Sequence, residues 1–156
     1  MCLDPDLLSR KVSPFNKPTL MKVLLIYCSK FGYTPTIKTV ENASDDPDPK
    51  EFENIQTAFI QVEQEDMEKE KEVEKKLVKN LKWICGKNNS KELILHSFAH
   101  LSESKADPGF TGTFFDRVEE RMSNAGYVVH QTPFGYFLDL RVEAPGFSLA
   151  RVFKDL

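Results

Sequence analysis

Two histidines, His96 and His100, are the side chains of this chain best suited to chemistry. On a helix, a spacing of four residues could place both imidazoles on one metal ion. Here the two histidines flank the end of a predicted strand, and no glutamate follows His96 as the HExxH pattern requires, so we expect no metal site. His100 falls where the strand gives way to a loop, a common position for functional side chains. Its local sequence fits a structural, hydrogen-bonded histidine equally well.

Other catalytic signatures are absent from the sequence. It contains no GxSxG motif and no phosphate-binding glycine loop, since Gly109 and Gly112 are too sparse for one, and we expect no cofactor. The three cysteines, Cys2, Cys28 and Cys85, lie far apart and form no CxxC pair. That usage predicts a reducing compartment, and we expect a cytoplasmic protein.

The charge of the chain restricts how it could contact nucleic acid. The formal net charge is −3, and no run of basic residues suggests a face that follows a long phosphate backbone. Any nucleic-acid contact should therefore be local, such as one strand end held in a pocket, or be helped by another chain. No segment approaches the ~20 consecutive apolar residues of a membrane span, and no signal-peptide pattern is present at the start.

The apolar periodicity predicts one α/β domain. Residues 1–20 carry no apolar period and are interrupted by Pro14 and Pro18, which predicts a tail, and residues 21–156 are long enough for a single domain. Residues 28–52 are polar and are predicted to form a loop. We predict five to six strands and two main helices. The strands are placed at residues 21–27, 54–63, 93–97, 127–130, 136–143 and 147–153, and the helices at residues 66–85 and 107–126.

Two short motifs carry a family resemblance. Phe98-Ala99-His100-Leu101-Ser102 and Pro133-Phe134-Gly135-Tyr136 resemble two motifs of the editing domain of archaeal threonyl-tRNA synthetases. The distance between the motifs is also compatible with that family. Parts of the first two predicted strands, residues 23–26 and 58–63, resemble the family's first two strands. The resemblance extends over residues 21–153.

The resemblance implies both a fold and an activity. The fold would be akin to that of D-aminoacyl-tRNA deacylases, with a twisted sheet packed against helices and usually assembled as a homodimer. The activity would be hydrolysis of seryl-tRNA that was made by mistake for threonyl-tRNA. A synthetic site rejects serine poorly because one methyl group provides only ~1–3 kcal/mol of discrimination. The partners implied are the 3′ end of an aminoacyl-tRNA and a threonyl-tRNA synthetase.

The resemblance also assigns roles to residues. His100 would lie near the aminoacyl group, and the residues before it would line the pocket partly through backbone atoms. The second motif, together with Val62, would hold the terminal adenosine by shape, stacking and main-chain hydrogen bonds. The predicted substrate-binding residues are Val62, Ser97, Phe98, Ala99, Phe134, Gly135, Tyr136, Phe137 and Leu138.

The sequence departs from the family pattern at charged positions, and near the first strand the family's acidic residue falls at Ser29. A functional lysine of the family is replaced by Leu138, and a functional glutamate is replaced by Arg151. Loss of one group that stabilises developing charge commonly costs ~10²–10³ in rate. Arg151 cannot act as a base because it stays protonated, but it could place a positive charge near an oxyanion. We therefore take His100 and Arg151 as the candidate catalytic residues.

Three functions remain open from the sequence. The first is an editing-type deacylase acting on seryl-tRNA(Thr) or a related mischarged tRNA. The second is a module that binds the aminoacylated tRNA end, or an adenosine-like ligand, without turnover. The third is a degenerate domain kept for dimerisation or for docking a partner. The retained motifs favour the first two functions, and the substitutions at Leu138 and Arg151 favour binding over catalysis.

Overall fold

The computed structural model describes residues 20–156, so almost all of the predicted tail lies outside the described residues. A six-stranded mixed sheet and two helices confirm the predicted α/β class. The spatial order is β4-β3-β2-β1-β5, and β6 also pairs with β1. The strands are β1 (Lys22–Lys38), β2 (Lys50–Gln61), β3 (Glu92–Ser97), β4 (Val128–Gln131), β5 (Tyr136–Glu143) and β6 (Arg151–Asp155), and the helices are α1 (Glu70–Lys87) and α2 (Pro108–Asn124).

The two helices are the crossovers of the parallel part of the sheet. Strand β3 is parallel to both β2 and β4, and α1 and α2 provide the two connections. Alternate residues of the central strands, such as Leu25, Ala58 and Leu95, pack with the apolar stripes of both helices into one buried cluster. The alternation arises because successive side chains of a strand point to opposite faces. Neither helix in the described part of the chain is long and apolar enough to cross a membrane.

Several element boundaries differ from the prediction. Residues 28–38 and 50–52, predicted as loop, belong to β1 and β2, because this polar part of β1 pairs with β2 on one side and β5 on the other. The last strand begins at Arg151 rather than at residue 147. Helix α1 begins at Glu70, after a separate 3₁₀ helix at Gln64–Glu68.

Strand β1 bends so that its second half folds over the sheet. In the ladder, Val23 pairs with Ile60 and Pro35 pairs with Leu138. Twelve residues of straight strand would separate those levels by roughly 40 Å. However, Leu138 packs against the same buried cluster as Phe98, and the N–H of Phe98 donates to the carbonyl of Ile60. The far end of β1, with β5 beside it, therefore returns to the end of β3.

The bend coincides with a change of side-chain alternation in β2. Phe52 and Ile55 are three residues apart, which would place them on opposite faces of a regular strand. Both nevertheless pack into one cluster on the face away from the helices. Between them, Asn54 has a φ of +51°, a left-handed conformation that asparagine tolerates better than most residues. This local irregularity allows the second half of the β1–β2 ladder to cover that cluster.

A buried carboxylate ties the start of β1 to the end of β2. Asp66 accepts hydrogen bonds from the N–H of Met21 at 3.0 Å and from the N–H of Glu63 at 2.8 Å. Burial raises the pKa of Asp66 to about 6, and the neighbouring Glu63 carboxylate adds to this, while the two N–H donors oppose it. The protonated form of Asp66 is therefore favoured in the folded state relative to the unfolded chain.

We predict that replacing Asp66 by asparagine changes the pH dependence of stability. Because the folded pKa is raised, the stabilisation by protonation is complete below about pH 4 and is lost as the pH rises through about 6. The unfolding free energy of the wild type should thus fall, relative to Asp66→Asn, by at most about 3 kcal/mol between pH 4 and pH 7. Denaturant titrations of both proteins across this range measure the difference. The exposed Asp155→Asn exchange is the control, and profiles of wild type and Asp66→Asn that stay parallel would contradict the prediction.

Candidate active site

A cleft of about 270 Å³ lies at the edge of the sheet where β3 and β4 end. Ligands of open α/β sheets bind outside the carboxyl ends of parallel strands. Three segments and the start of α2 form the walls. The lining residues are Thr39, Val40, His96, Ser97, Phe98, Ala99, His100, Pro108, Thr132, Pro133, Phe134, Gly135, Tyr136, Phe137, Leu138 and Leu140.

The rings of His96, Phe98 and His100 form a row at the end of β3. Residues two apart share a face of an extended chain, which relates His96 to Phe98, whereas His100 lies in the turn that follows β3. The ring centroids of His96 and Phe98 are 5.9 Å apart, and those of Phe98 and His100 are 5.0 Å apart. Phe59 supports the row from β2, at 5.0 Å from the His96 ring. His96 is buried, whereas His100 is exposed at the rim of the cleft.

His96 is an uncharged histidine at neutral pH. Its Nδ1 lies 2.8 Å from the hydroxyl of Thr132. Burial lowers the pKa of His96 to about 4, with a smaller contribution from the neighbouring His100. From the sequence, His96 was a candidate only as a metal ligand and was not predicted to belong to the site. The period of two that relates it to Phe98, just after β3, was the signal available. Within residues 20–156, no three side chains of the usual ligand types come together as a metal site.

The second motif forms a tight turn that needs its glycine. Gly135 has a φ of +84°, and a Cβ there would lie 2.8 Å from the Cβ of Ala43. The carbonyl of Gly135 accepts from the N–H of Thr39 at 2.7 Å, and the hydroxyl of Tyr136 donates to the carbonyl of Ser44 at 2.6 Å. The loop after β1 thus packs directly on the turn and forms one wall of the cleft.

A second, smaller cleft of about 130 Å³ adjoins the first. The two share Ser97, Ala99, Pro108 and Phe134 as a common wall. Val62 lies in the smaller cleft, on the far side of this wall from His100. The site therefore consists of two adjacent compartments.

The structure brings together nearly all of the residues that the sequence proposed. Those at 97–100 and 134–138 line the main cleft, and Val62 lines the adjoining one. Arg151 lies outside both clefts, at the start of β6 opposite Ile26, and its guanidinium donates to the carbonyl of Pro145 at 3.3 Å. The role of each of these residues stays a prediction.

Gln61 holds the loop that follows His100, a role that no pattern in the sequence indicates. Its side chain is only 1% exposed. The amide nitrogen donates to the carbonyls of Ser102 at 2.9 Å and Ser104 at 2.7 Å, and the amide oxygen accepts from the N–H of Leu101. One glutamine at the end of β2 thereby satisfies three backbone groups of this loop.

We predict that Gln61→Leu loosens this loop selectively. The N–H of Leu101 would lose its acceptor, and a missing buried hydrogen bond costs about 1–3 kcal/mol. Amide exchange at Leu101 should accelerate by roughly tenfold or more, since 1.4 kcal/mol is a factor of ten. Hydrogen exchange followed by NMR measures this rate.

Gln56→Leu is the matched control for Gln61→Leu. Gln56 is also a buried glutamine of β2, but its side chain contacts Asn88 and the backbone of Thr57. This variant should lose stability and leave the protection of Leu101 unchanged. Equal acceleration at Leu101 in both variants would show that Gln61 has no specific hold on the loop.

Comparison with known sequences identifies the family. Residues 21–156 match the family model described as the Archaea-specific editing domain of threonyl-tRNA synthetase. Threonine–tRNA ligase of Thermococcus kodakarensis is 27% identical over 139 residues, which are 87% of this chain and 22% of that protein. Threonine–tRNA ligase of Nitrosopumilus maritimus is 29% identical over 136 residues, which are 86% of this chain and 21% of that protein. The chain thus spans about a fifth of the length of these relatives.

A solved structure is similar in fold. The c-Myc DNA unwinding element binding protein superposes with a TM-score of 0.64 at 10% sequence identity, covering 86% of this chain and 98% of that one. This likeness supports the predicted D-aminoacyl-tRNA deacylase-like fold and, at such low identity, the fold alone. The family match over residues 21–156 confirms the resemblance seen in the two motifs, and this chain belongs to the family of the Archaea-specific editing domain of threonyl-tRNA synthetase.

Proposed function

We propose that residues 21–156 form one editing-type domain that hydrolyses a mischarged aminoacyl-tRNA, seryl-tRNA(Thr) or a close relative. One observation carries the proposal. The two family motifs, more than thirty residues apart in the sequence, meet in a single cleft with His100 at its rim. Membership of the family supplies the reaction class.

The two compartments suit the two parts of such a substrate. The main cleft, which contains His100, would take the aminoacyl ester. The smaller cleft beside Val62 would take the terminal adenosine, with Phe134 in the shared wall offering a ring for the base. Contacts of this local kind do not require a basic face, which agrees with a net charge of −3. A partner chain such as a threonyl-tRNA synthetase would hold the rest of the tRNA.

The chemical step is hydrolysis of an ester. The oxygen of a water molecule attacks the carbonyl carbon of the aminoacyl group, and the bond from that carbon to the ribose oxygen breaks. The proton lost by the water is transferred to the departing ribose oxygen. His100 is suited to carry this proton, because an imidazole can accept and donate near neutral pH.

Charge stabilisation within the cleft is weaker than in the family pattern. Leu138, at the position of the family's lysine, is apolar and lies in the cleft wall. The N–H groups of Ala99 and His100 make no hydrogen bond to any described residue, so they are available to an oxyanion. This apolar wall is also what favours the second candidate function, a module that binds the aminoacylated end without turnover.

We predict that the purified protein hydrolyses seryl-tRNA(Thr) faster than threonyl-tRNA(Thr), and that His100→Ala reduces the rate by roughly 10²-fold. Release of labelled amino acid from each tRNA measures the rates. His130→Ala is the control, because His130 is another histidine and pairs with Glu92 outside the cleft.

Arg151→Ala tests whether Arg151 contributes a charge, and an unchanged rate would remove it from the catalytic residues.

The other outcomes separate the alternatives. Binding of the aminoacylated end without hydrolysis would replace the deacylase by the binding module. Absence of both hydrolysis and binding would leave a domain kept for dimerisation or docking.

The homodimer implied by the family resemblance is part of the proposal. We expect sedimentation equilibrium to give twice the mass of the chain at micromolar concentration. A mass of one chain, 17.9 kDa, at the concentrations of the deacylation assay would remove dimerisation from the proposal.

A further inference from the structure

We propose that His96 is a specificity-determining residue that binds the side-chain hydroxyl of the aminoacyl group, so that the cleft selects hydroxylated amino acids over alanine. The proposal rests on the proposed function above and adds that the site recognises the side-chain hydroxyl of the substrate. His96 would contact the substrate without taking part in bond breaking.

The geometry leaves one ring nitrogen of His96 for a ligand. Nδ1 lies 2.8 Å from the hydroxyl of Thr132. Nε2 has no hydrogen-bond partner among the described residues, and it is not one of the polar atoms sealed away from solvent there. Because His96 lines the main cleft, that nitrogen is available from the cleft.

The ring of His96 is held in place by its neighbours. Phe59 meets it nearly edge to face, with an interplanar angle of 70°, and Phe98 packs beside Phe59, with its ring centroid 5.9 Å from that of His96. With the Thr132 bond, these contacts leave the imidazole little freedom to turn. A fixed ring is what selective recognition requires, since a group that can swing away discriminates poorly.

A hydroxyl is the ligand group that fits this nitrogen best. A neutral imidazole has one donor and one acceptor nitrogen, and burial keeps His96 neutral by lowering its pKa to about 4. Thr132 pairs with one nitrogen, and a hydroxyl can pair with the other in either tautomer because it both donates and accepts. A carboxylate side chain would prefer a charged imidazolium and gains less here.

The surrounding wall increases the contrast between serine and alanine. Val40, Leu138 and Leu140 make much of the wall apolar, and the hydroxyl of Tyr136 is already committed to the carbonyl of Ser44. An alanyl group would cover Nε2 without pairing it, and an unpaired buried polar group costs about 1–3 kcal/mol. Sites that pair with a substrate hydroxyl reject its deoxy analogue more strongly than a pocket can reject one extra methyl group.

The test compares seryl-tRNA(Thr) with alanyl-tRNA(Thr) for wild type, His96→Phe and His96→Gln. We expect the wild type to prefer serine by roughly 10–100-fold. His96→Phe should bring the two rates within roughly threefold by slowing serine release alone, since the ring shape is kept and the nitrogen is lost. His96→Gln places an amide near the position of Nε2 and should restore part of the preference, even where the phenylalanine variant folds poorly.

Two outcomes would overturn the role of His96. Equal slowing of both substrates by His96→Phe would show that His96 only packs the cleft. A wild type that hydrolyses the seryl and alanyl substrates at the same rate would show that the site does not recognise the hydroxyl. Calorimetry keeps this test separate from catalysis. It uses adenosine analogues that carry a seryl or an alanyl group on a 3′-amino group, because this amide bond replaces the ester and is not hydrolysed. A serine preference in binding that His96→Phe abolishes supports the proposal even where no turnover occurs, and equal or absent binding of the two analogues rejects it.

Discussion

The bend in β1 is the constraint on which the rest of the structure depends. Without it, the strand would carry Pro35 and its partner Leu138 roughly 40 Å from the level of Phe98. The irregular position of Asn54 in β2 allows the ladder to turn, and the folded-over half covers the apolar cluster that the helices leave open. The turn at Gly135 and the wall formed by Leu138 face the end of β3 only because of this bend.

Two of the buried polar side chains, Gln61 and His96, hold the site. Gln61 and His96 lie at the ends of neighbouring strands, and each is paired with a group of the adjoining loops. The cluster that packs against the helices is formed by apolar side chains. A buried amide or imidazole adds little net stability even when it is paired. These side chains are therefore better understood as fixing the geometry of the cleft than as strengthening the core, a departure from simple patterning that functional sites often show.

The sequence predicted the features that depend on neighbouring residues and missed those that depend on partners far away in the chain. The apolar runs predicted most of the strands and both helices, and the two motifs predicted most of the cleft. The polar half of β1 was missed because Gly32, Thr34 and Pro35 read as loop, and their pairing partners lie about a hundred residues away in β5. The holding role of Gln61 was missed for a related reason, because a glutamine within a strand shows its purpose only once the partner loop is placed.

Two of the positions where the resemblance predicts a departure in charge lie on different sides of the bend. Leu138 belongs to β5, which pairs with the folded-over half of β1, and it lines the main cleft. Arg151 belongs to β6, which pairs with the first half of β1, and it is held at Pro145 outside the cleft. Under the proposed function, an apolar Leu138 would act directly on any charge that develops near His100, whereas the cation of Arg151 would act from a distance through solvent. Hydrolysis in such a cleft would depend on His100, on backbone N–H groups and on the ribose hydroxyl of the substrate, which makes correct placement of the aminoacyl end the main contribution of the protein.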